Sequence, residues 1–376
     1  MYIRKILFTA CLLSVNLLFA AEGDYAVSKI PATLLENAHV VKRMEEGRFE
    51  ILGLGKSRYY HKYALTILNE KGEEHAGKTL SYNKLREIRS FDGALYDASG
   101  KKIRSLKKGE IRDLSRVDDI SLMDDTRIKQ HSFYHRQYPY TVEYETVEHY
   151  NFNMFFPNWS PYDDEHIAIE QSAITIVAPS DFAVRYKAFN YPEEPVKTME
   201  KGMQTYRWEL KNKEAIELEY ATPFFTEIAP VVYFAPSKFE VEKYRGDMSS
   251  WKSLGSFIYD LNKGRDELPA EMKQKVHALT KDIADPYKKI EALYDFLQQN
   301  TRYISVQLGI GGWQTYDAKY VADRKYGDCK ALSNYMYSLL KEAGIKSNYT
   351  LIRNGRSAIS HLDDFPCSYF NHVIVC

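Results

Sequence analysis

Tyr326-Gly327-Asp328-Cys329-Lys330 stands directly before a helical pattern. Leu332, Met336, Leu339, Leu340 and Ala343 recur at the i, i+3/i+4, i+7 spacing of one buried helix face. Asp328 is an N-cap type, since its carboxylate can accept from the free amides of a first turn. Gly344 stands where a helix C-terminus favours a residue that tolerates positive φ. Start, face and stop together predict a helix from Cys329 to about Ala343. Cys329 then falls in its first turn, where unpaired amides and the macrodipole favour negative charge. A thiol so placed can fall from ~8.5 into the range of roughly 3.5 to 7.5, and the thiolate is the nucleophilic form. A base is still required. His372, 43 residues on and inside the strand-like run Tyr369–Cys376, is the candidate. The competing reading of Cys329 alone is a small buried residue at a helix start.

These residues resemble the core of bacterial transglutaminase-like domains. The resemblance rests on Gly327-Asp328-Cys329-Lys330, the helix end Ala343-Gly344-Ile345, a strand near Tyr349-Thr350-Leu351-Ile352, and Asn371-His372-Val373. Thr301-Arg302-Tyr303 and Gly311-Gly312-Trp313-Gln314 extend it upstream, so that it covers about the last third of the chain. It implies a papain-like α+β scaffold with a Cys-His-Asp triad, Cys329 as nucleophile and His372 as base. The family carries its Asp on the strand after the His, whereas this sequence ends four residues past His372. Asp363 and Asp364 precede the His strand and are poor substitutes. The expectation is therefore a domain truncated at its C-terminus, with the third triad member beyond Cys376. Trp313 or Gln314 would flank the acyl pocket or donate to an oxyanion; the competing reading is that Trp313 covers the core.

Composition limits the alternatives. With 51 basic and 51 acidic residues the net charge is zero, which argues against a nucleic-acid or anionic-membrane partner. Aromatic content is 14 %, with 30 Tyr, which suits β-rich structure. Arg4 and Lys5, the apolar run Ile6 to Phe19, and Ala20-Ala21 read as a signal peptide, so the protein is expected in the periplasm or secreted. No other stretch could span a membrane. The mature chain keeps Cys329, Cys367 and Cys376, and an odd number leaves at least one thiol unpaired within the chain. Cys367 and Cys376 could pair, but small buried residues are the favoured reading.

From His39 to about Tyr220 the pattern is mainly β. Tyr59, His61, Tyr63, Leu65 and Ile67 alternate along one face, as do Tyr206, Trp208 and Leu210, and then Ile216, Leu218 and Tyr220. Such spacing argues for a sandwich of antiparallel sheets. Gly93-Ala94-Leu95-Tyr96-Asp97, Gly100-Lys101-Lys102-Ile103 and Tyr140 to Glu148 resemble the exported domain of unknown function that commonly precedes transglutaminase-like domains. The proline-broken Met154–Pro161 reads as a loop packed on the sheet or on a second domain, against the alternative of a partner contact. His131, His135, His149 and His166 are irregularly spaced with no accompanying Cys, and read as ordinary histidines rather than metal ligands. Helices are expected after Ser250, Leu268-Pro269 and Asp285-Pro286.

The expected fold is thus α+β and multidomain: a signal peptide over 1–20, an N-terminal antiparallel β-sandwich over 21–245, and a helical linker leading into an incomplete transglutaminase-like α+β domain over 246–376. The expected function is thiol-dependent acyl transfer or amide hydrolysis on a peptide or protein substrate, with no cofactor and no metal. The alternative, from another class, is a catalytically inert exported binding or scaffolding protein.

Overall fold

The structure, a computed structural model, describes residues 25–116, 121–355 and 362–376; the expected signal peptide lies outside them. Eight strands form the main sheet: β1 (Val40–Gly53), β2 (Lys56–Ile67), β3 (Arg86–Tyr96), β4 (Lys102–Ser105), β5 (Tyr140–Tyr150), β6 (Ile167–Pro179), β7 (Val196–Glu200) and β8 (Met203–Lys213). Their spatial order is β7-β8-β6-β1-β2-β5-β3-β4. Neighbours run antiparallel except for the central β1–β6 pair, which is parallel.

One face of this sheet is apolar and covered by smaller sheets. Phe49, Ile51, Ile174, Ile176 and Trp208 pack beneath Val232 and Phe234 of a ribbon made by Val184–Phe189 and Val231–Pro236. Farther along, Leu65, Ile67, Phe91 and Tyr144 pack against Leu80 and Phe133 under a three-stranded sheet. The expected alternation holds here, with Tyr59 opposite Phe49 and Ile67 opposite Val40. A register shift between Lys42 and Met44 keeps both ends of β1 facing the core. The other face carries Glu46, Arg58 and Arg207 at one end, while at the other end Val41, Ala64, Ala94 and Ala168 are buried with Tyr25, Ile30 and Leu34.

Between the two apolar patches lies a belt of buried charge. Lys42 Nζ donates to the Pro161 carbonyl at 2.7 Å and pairs with Glu45 at 3.0 Å and Asp163 at 2.9 Å. Glu45 also meets His61 Nε2 at 2.9 Å and accepts from Ser172 Oγ at 2.6 Å, while Lys78 Nζ lies 3.1 Å from His61 Nδ1. Its several acceptors and donors offset the large cost of taking these charges out of water.

Ile216, Leu218 and Tyr220 do not form the expected strand. The main-chain carbonyl of Ile216 accepts from His166 N–H in an irregular segment, and Tyr220 is fully exposed. Alternation is present there, but Leu218 N–H donates to the Glu165 carboxylate at 3.3 Å and not to a neighbouring strand.

Beyond residue 250 the chain turns helical: α1 (Trp251–Asn262), α2 (Ala270–Thr280), α3 (Pro286–Asn300), α4 (Ala318–Arg324) and α5 (Cys329–Glu342). Ser250 caps α1 by accepting from Ser253 N–H at 3.0 Å, and Asp285 caps α3 by accepting from Tyr287 N–H at 2.9 Å. Short α4 lacks a side-chain cap and has too few turns to show a period, so it left no signal in the sequence. Leu268, Val276, Leu293, Val321, Tyr335 and Leu339 make the core that α2 to α5 share, while Leu254, Phe257, Ile258 and Leu261 of α1 pack with Phe239 and Val241. Strands β9 (Tyr349–Ile352) and β10 (His372–Val375) pair antiparallel against α5. Among the described residues, no helix is long and apolar enough to cross a membrane.

The belt makes stability depend on pH. Ion pairing with Lys42 and hydrogen bonds from His61 and Ser172 outweigh burial and hold the Glu45 carboxyl well below its ordinary value; burial lowers His61. Both groups bind protons more readily unfolded, so stability is full above the ordinary histidine value of 6.5 and is lost as pH falls. Urea titrations should show decline beginning near that value and continuing through the carboxylate range. His61→Gln should flatten the upper part of the curve; an unchanged slope there would exclude His61 as its source.

Candidate active site

Local chemistry fixes the start of α5. Lys325, left-handed at φ 64°, ends α4. Tyr326–Gly327 then pairs parallel with Arg302–Tyr303, through Arg302 N–H to the Lys325 carbonyl at 2.9 Å and Ile304 N–H to the Gly327 carbonyl at 3.0 Å. Residue 327 must be glycine, because a Cβ there would sit 2.7 Å from Ala331 Cβ. Asp328, as expected, accepts from Ala331 N–H at 3.0 Å. Its second oxygen pairs with Lys330, and the two residues are only 2 % and 6 % exposed. Cys329 is therefore the first residue of the helix, and Gly344 just past its end has φ 73°.

Cys329 and His372 line one cavity of about 570 Å³, with Tyr303 at its rim and Leu332, Met336, Leu340 and Val373 in its walls. His372 opens β10 opposite Ile352, and Ser333 Oγ donates to the Val373 carbonyl at 3.2 Å, tying that strand to the cysteine helix. The two residues singled out in the sequence thus come to a common space. No hydrogen bond joins their side chains among the described residues.

Tyr303 is the group that sequence reasoning passed over. It lines the same cavity as Cys329, beside the thiol. Burial and the adjacent sulfur push its pKa up to about 12, so it remains a proton donor at neutral pH. The sequence contained this residue within a recognisable motif, but nothing in its spacing revealed the parallel pairing that carries it to residue 327.

Trp313 and Gln314 do not flank Cys329. The Trp313 ring packs on Phe155 with centroids 5.0 Å apart, and the Gln314 amide donates to the Leu261 carbonyl at 2.7 Å. The glycine loop that carries them turns toward the β region, where Ile310 N–H donates to Glu242 at 3.0 Å. This also accounts for Met154–Pro161, which is a packed loop with Phe156 and Trp159 in the core. Asp364 pairs with Lys187, and neither Asp363 nor Asp364 lines the cysteine cavity. All three described cysteines are free. Cys367 is buried as expected, which pushes its thiol up to about 12, but Cys376 is exposed because it ends the hairpin at the surface. The described residues hold no group of three or more His, Cys, Asp or Glu placed to bind a metal ion.

Comparison with known proteins places the two regions of the fold. Residues 273–362 match the Transglutaminase-like superfamily, and residues 54–217 match a domain of unknown function with solved structures, DUF3857. No curated protein matches the chain. A crystal structure from Parabacteroides distasonis, provisionally described as a protease, superposes with a TM-score of 0.69 at 16 % identity, covering 90 % of this chain and 65 % of that one. The likeness is one of fold, and the present chain spans about 65 % of that protein's length. An M1 zinc metallopeptidase from Deinococcus radiodurans reaches a TM-score of 0.27 at 5 % identity over 81 % of this chain and 64 % of that one, too low to support an argument. The chain therefore carries a transglutaminase-like α+β region behind a DUF3857 β region.

The buried pair at the helix start gives a stability test. Asp328→Ala removes a cap and strands the Lys330 ammonium, with an expected loss of about 3–5 kcal/mol. The double change Asp328→Ala with Lys330→Met should recover most of it in urea unfolding. A single variant within about 0.5 kcal/mol of wild type would show that the pair contributes nothing to stability.

Proposed function

Starting from a transglutaminase-like C-terminal region, we propose that the chain is an exported thiol enzyme that transfers or hydrolyses acyl groups of peptide or protein amides. The observation that carries this reading is the meeting of Cys329, at a helix start, with His372 in one cavity. Periplasmic or secreted placement follows from the leader-like residues 1–20, and the division between the two regions falls near residue 245.

In this mechanism His372 takes the thiol proton, and the Cys329 thiolate adds to the amide carbon. Negative charge moves to the carbonyl oxygen, which accepts from the Cys329 N–H and from the Tyr303 hydroxyl that lines the same cavity. As the tetrahedral centre collapses, the C–N bond breaks and the imidazolium returns its proton to the leaving amine. A thioester remains. Water then yields the acid, or an amine yields a new amide, with His372 accepting the incoming proton and Cys329 restored. The apolar walls formed by Leu332, Met336 and Val373 suit an apolar group beside the scissile carbonyl.

Iodoacetamide labelling read by mass spectrometry tests the pair. Cys329 should react well before Cys367, and His372→Ala should slow its labelling at about pH 6.5 on the order of tenfold or more. A rate indifferent to His372 would favour the inert binding protein instead. On an amide substrate, Tyr303→Phe should lower kcat roughly 10²- to 10³-fold with KM little changed. An equal effect on both parameters would assign Tyr303 to ground-state binding.

A further inference from the structure

Residues 362–371, which lead into the histidine strand, lie against the N-terminal β region and α1. Leu362, Phe365 and Cys367 are buried in a core shared with Val231, Phe239 and Val241 of the β region and Phe257 of α1. The Tyr369 ring meets Tyr233 edge-on at 5.2 Å, and its hydroxyl donates to Asn158. At the centre is Arg185, on the Val184–Phe189 strand. Its Nη2 donates to the carbonyls of Pro236 at 3.1 Å, Met248 at 2.7 Å and Pro366 at 2.5 Å, and its guanidinium lies 5.2 Å from the Phe365 ring centroid.

One side chain thus gathers three pieces of chain: the end of the β ribbon, the turn before α1, and the approach to His372. Nη2 shares its two N–H groups among the three carbonyls while the flat guanidinium lies over the Phe365 ring, a stacked arrangement that a tetrahedral lysine ammonium does not reproduce. The histidine hairpin needs such support. Its strands are four residues each, and an isolated two-stranded ribbon is marginal in water. Asn371 N–H donates to the Ile352 carbonyl at 3.1 Å, so His372 sits where the chain passes from this platform to the hairpin.

We propose that the DUF3857 β region is a working part of the active site, and that Arg185 is a positioning residue that sets where the His372 imidazole stands relative to Cys329. The proposal rests on the catalytic reading above for its consequence, but positioning can be read without catalysis. Arg185 touches no reacting atom; it acts through the backbone six residues before the histidine.

The test uses the full chain, with Arg185→Lys, His372→Ala, the double variant, and Leu80→Ala as a core lesion in the distant half of the sheet. The His372 ring resonance is assigned by its loss in His372→Ala. It should shift or broaden in Arg185→Lys and stay in place in Leu80→Ala. Labelling of Cys329 at about pH 6.5 should slow on the order of 10- to 10²-fold in Arg185→Lys, as for a misplaced catalytic group. The double variant should react no more slowly than His372→Ala alone, because both act through one group. An unmoved resonance overturns the proposal, and so does a defect that adds to that of His372→Ala. A moved resonance with labelling indifferent to His372 upholds the positioning and instead overturns the catalytic reading. If Arg185→Lys unfolds, Arg185→Met is read the same way, with Leu80→Ala matching its loss of stability.

Discussion

Phe239 ties the molecule together. It is wholly buried, meets Phe257 of α1 edge-on at 4.8 Å, and lies in one apolar cluster with Leu362 and Phe365. Fully burying such a ring contributes roughly 1.5–3 kcal/mol, with a further aromatic-pair gain of about 0.5–1.5 kcal/mol. Its position matters more than its magnitude. Through this cluster the last β hairpin, the first helix and the approach to the histidine strand become a single packing problem. The approach to His372 is thereby seated in a core that neither region completes alone.

Two buried ionic arrangements follow the same logic at different scales. In the β region, Lys42 and Glu45 sit between two apolar patches on one sheet face and are satisfied by His61, Ser172, Asp163 and a main-chain carbonyl. At the cysteine helix, Asp328 divides its oxygens between Ala331 N–H and Lys330. Such pairs add little net stability compared with apolar packing, but they tolerate few alternative registers, because displacing either partner leaves a charge unpaired in a dry interior. The first holds β1, β2 and β6 in alignment. The second fixes the first turn of the helix, on which Cys329 stands.

Much of this was written locally in the chain. The cap at Asp328, the apolar face through Leu339 and the stop at Gly344 each concern residues within a turn or two of one another, so their spacing alone specified α5. Ser250 and Asp285-Pro286 marked their helices in the same way. Alternation from Tyr59 to Ile67 identified a strand, and Cys329 with His372 could be singled out together before the cavity they share was known.

What the sequence could not determine was which surfaces would meet. Ile216 to Tyr220 alternates as well as a strand does, yet Leu218 N–H goes to the Glu165 carboxylate and not to a neighbouring strand. Trp313 looked like a wall of the acyl site and instead covers Phe155, because its glycine loop is anchored by Glu242. Tyr303 reaches Cys329 through a parallel pairing of chain segments more than twenty residues apart, and Arg185 holds Pro366 from 181 residues away. Helix caps and periodicity reflect short-range hydrogen bonding and burial, which a linear reading captures. Long-range contacts depend on the simultaneous packing of every element, and only the folded chain decides them.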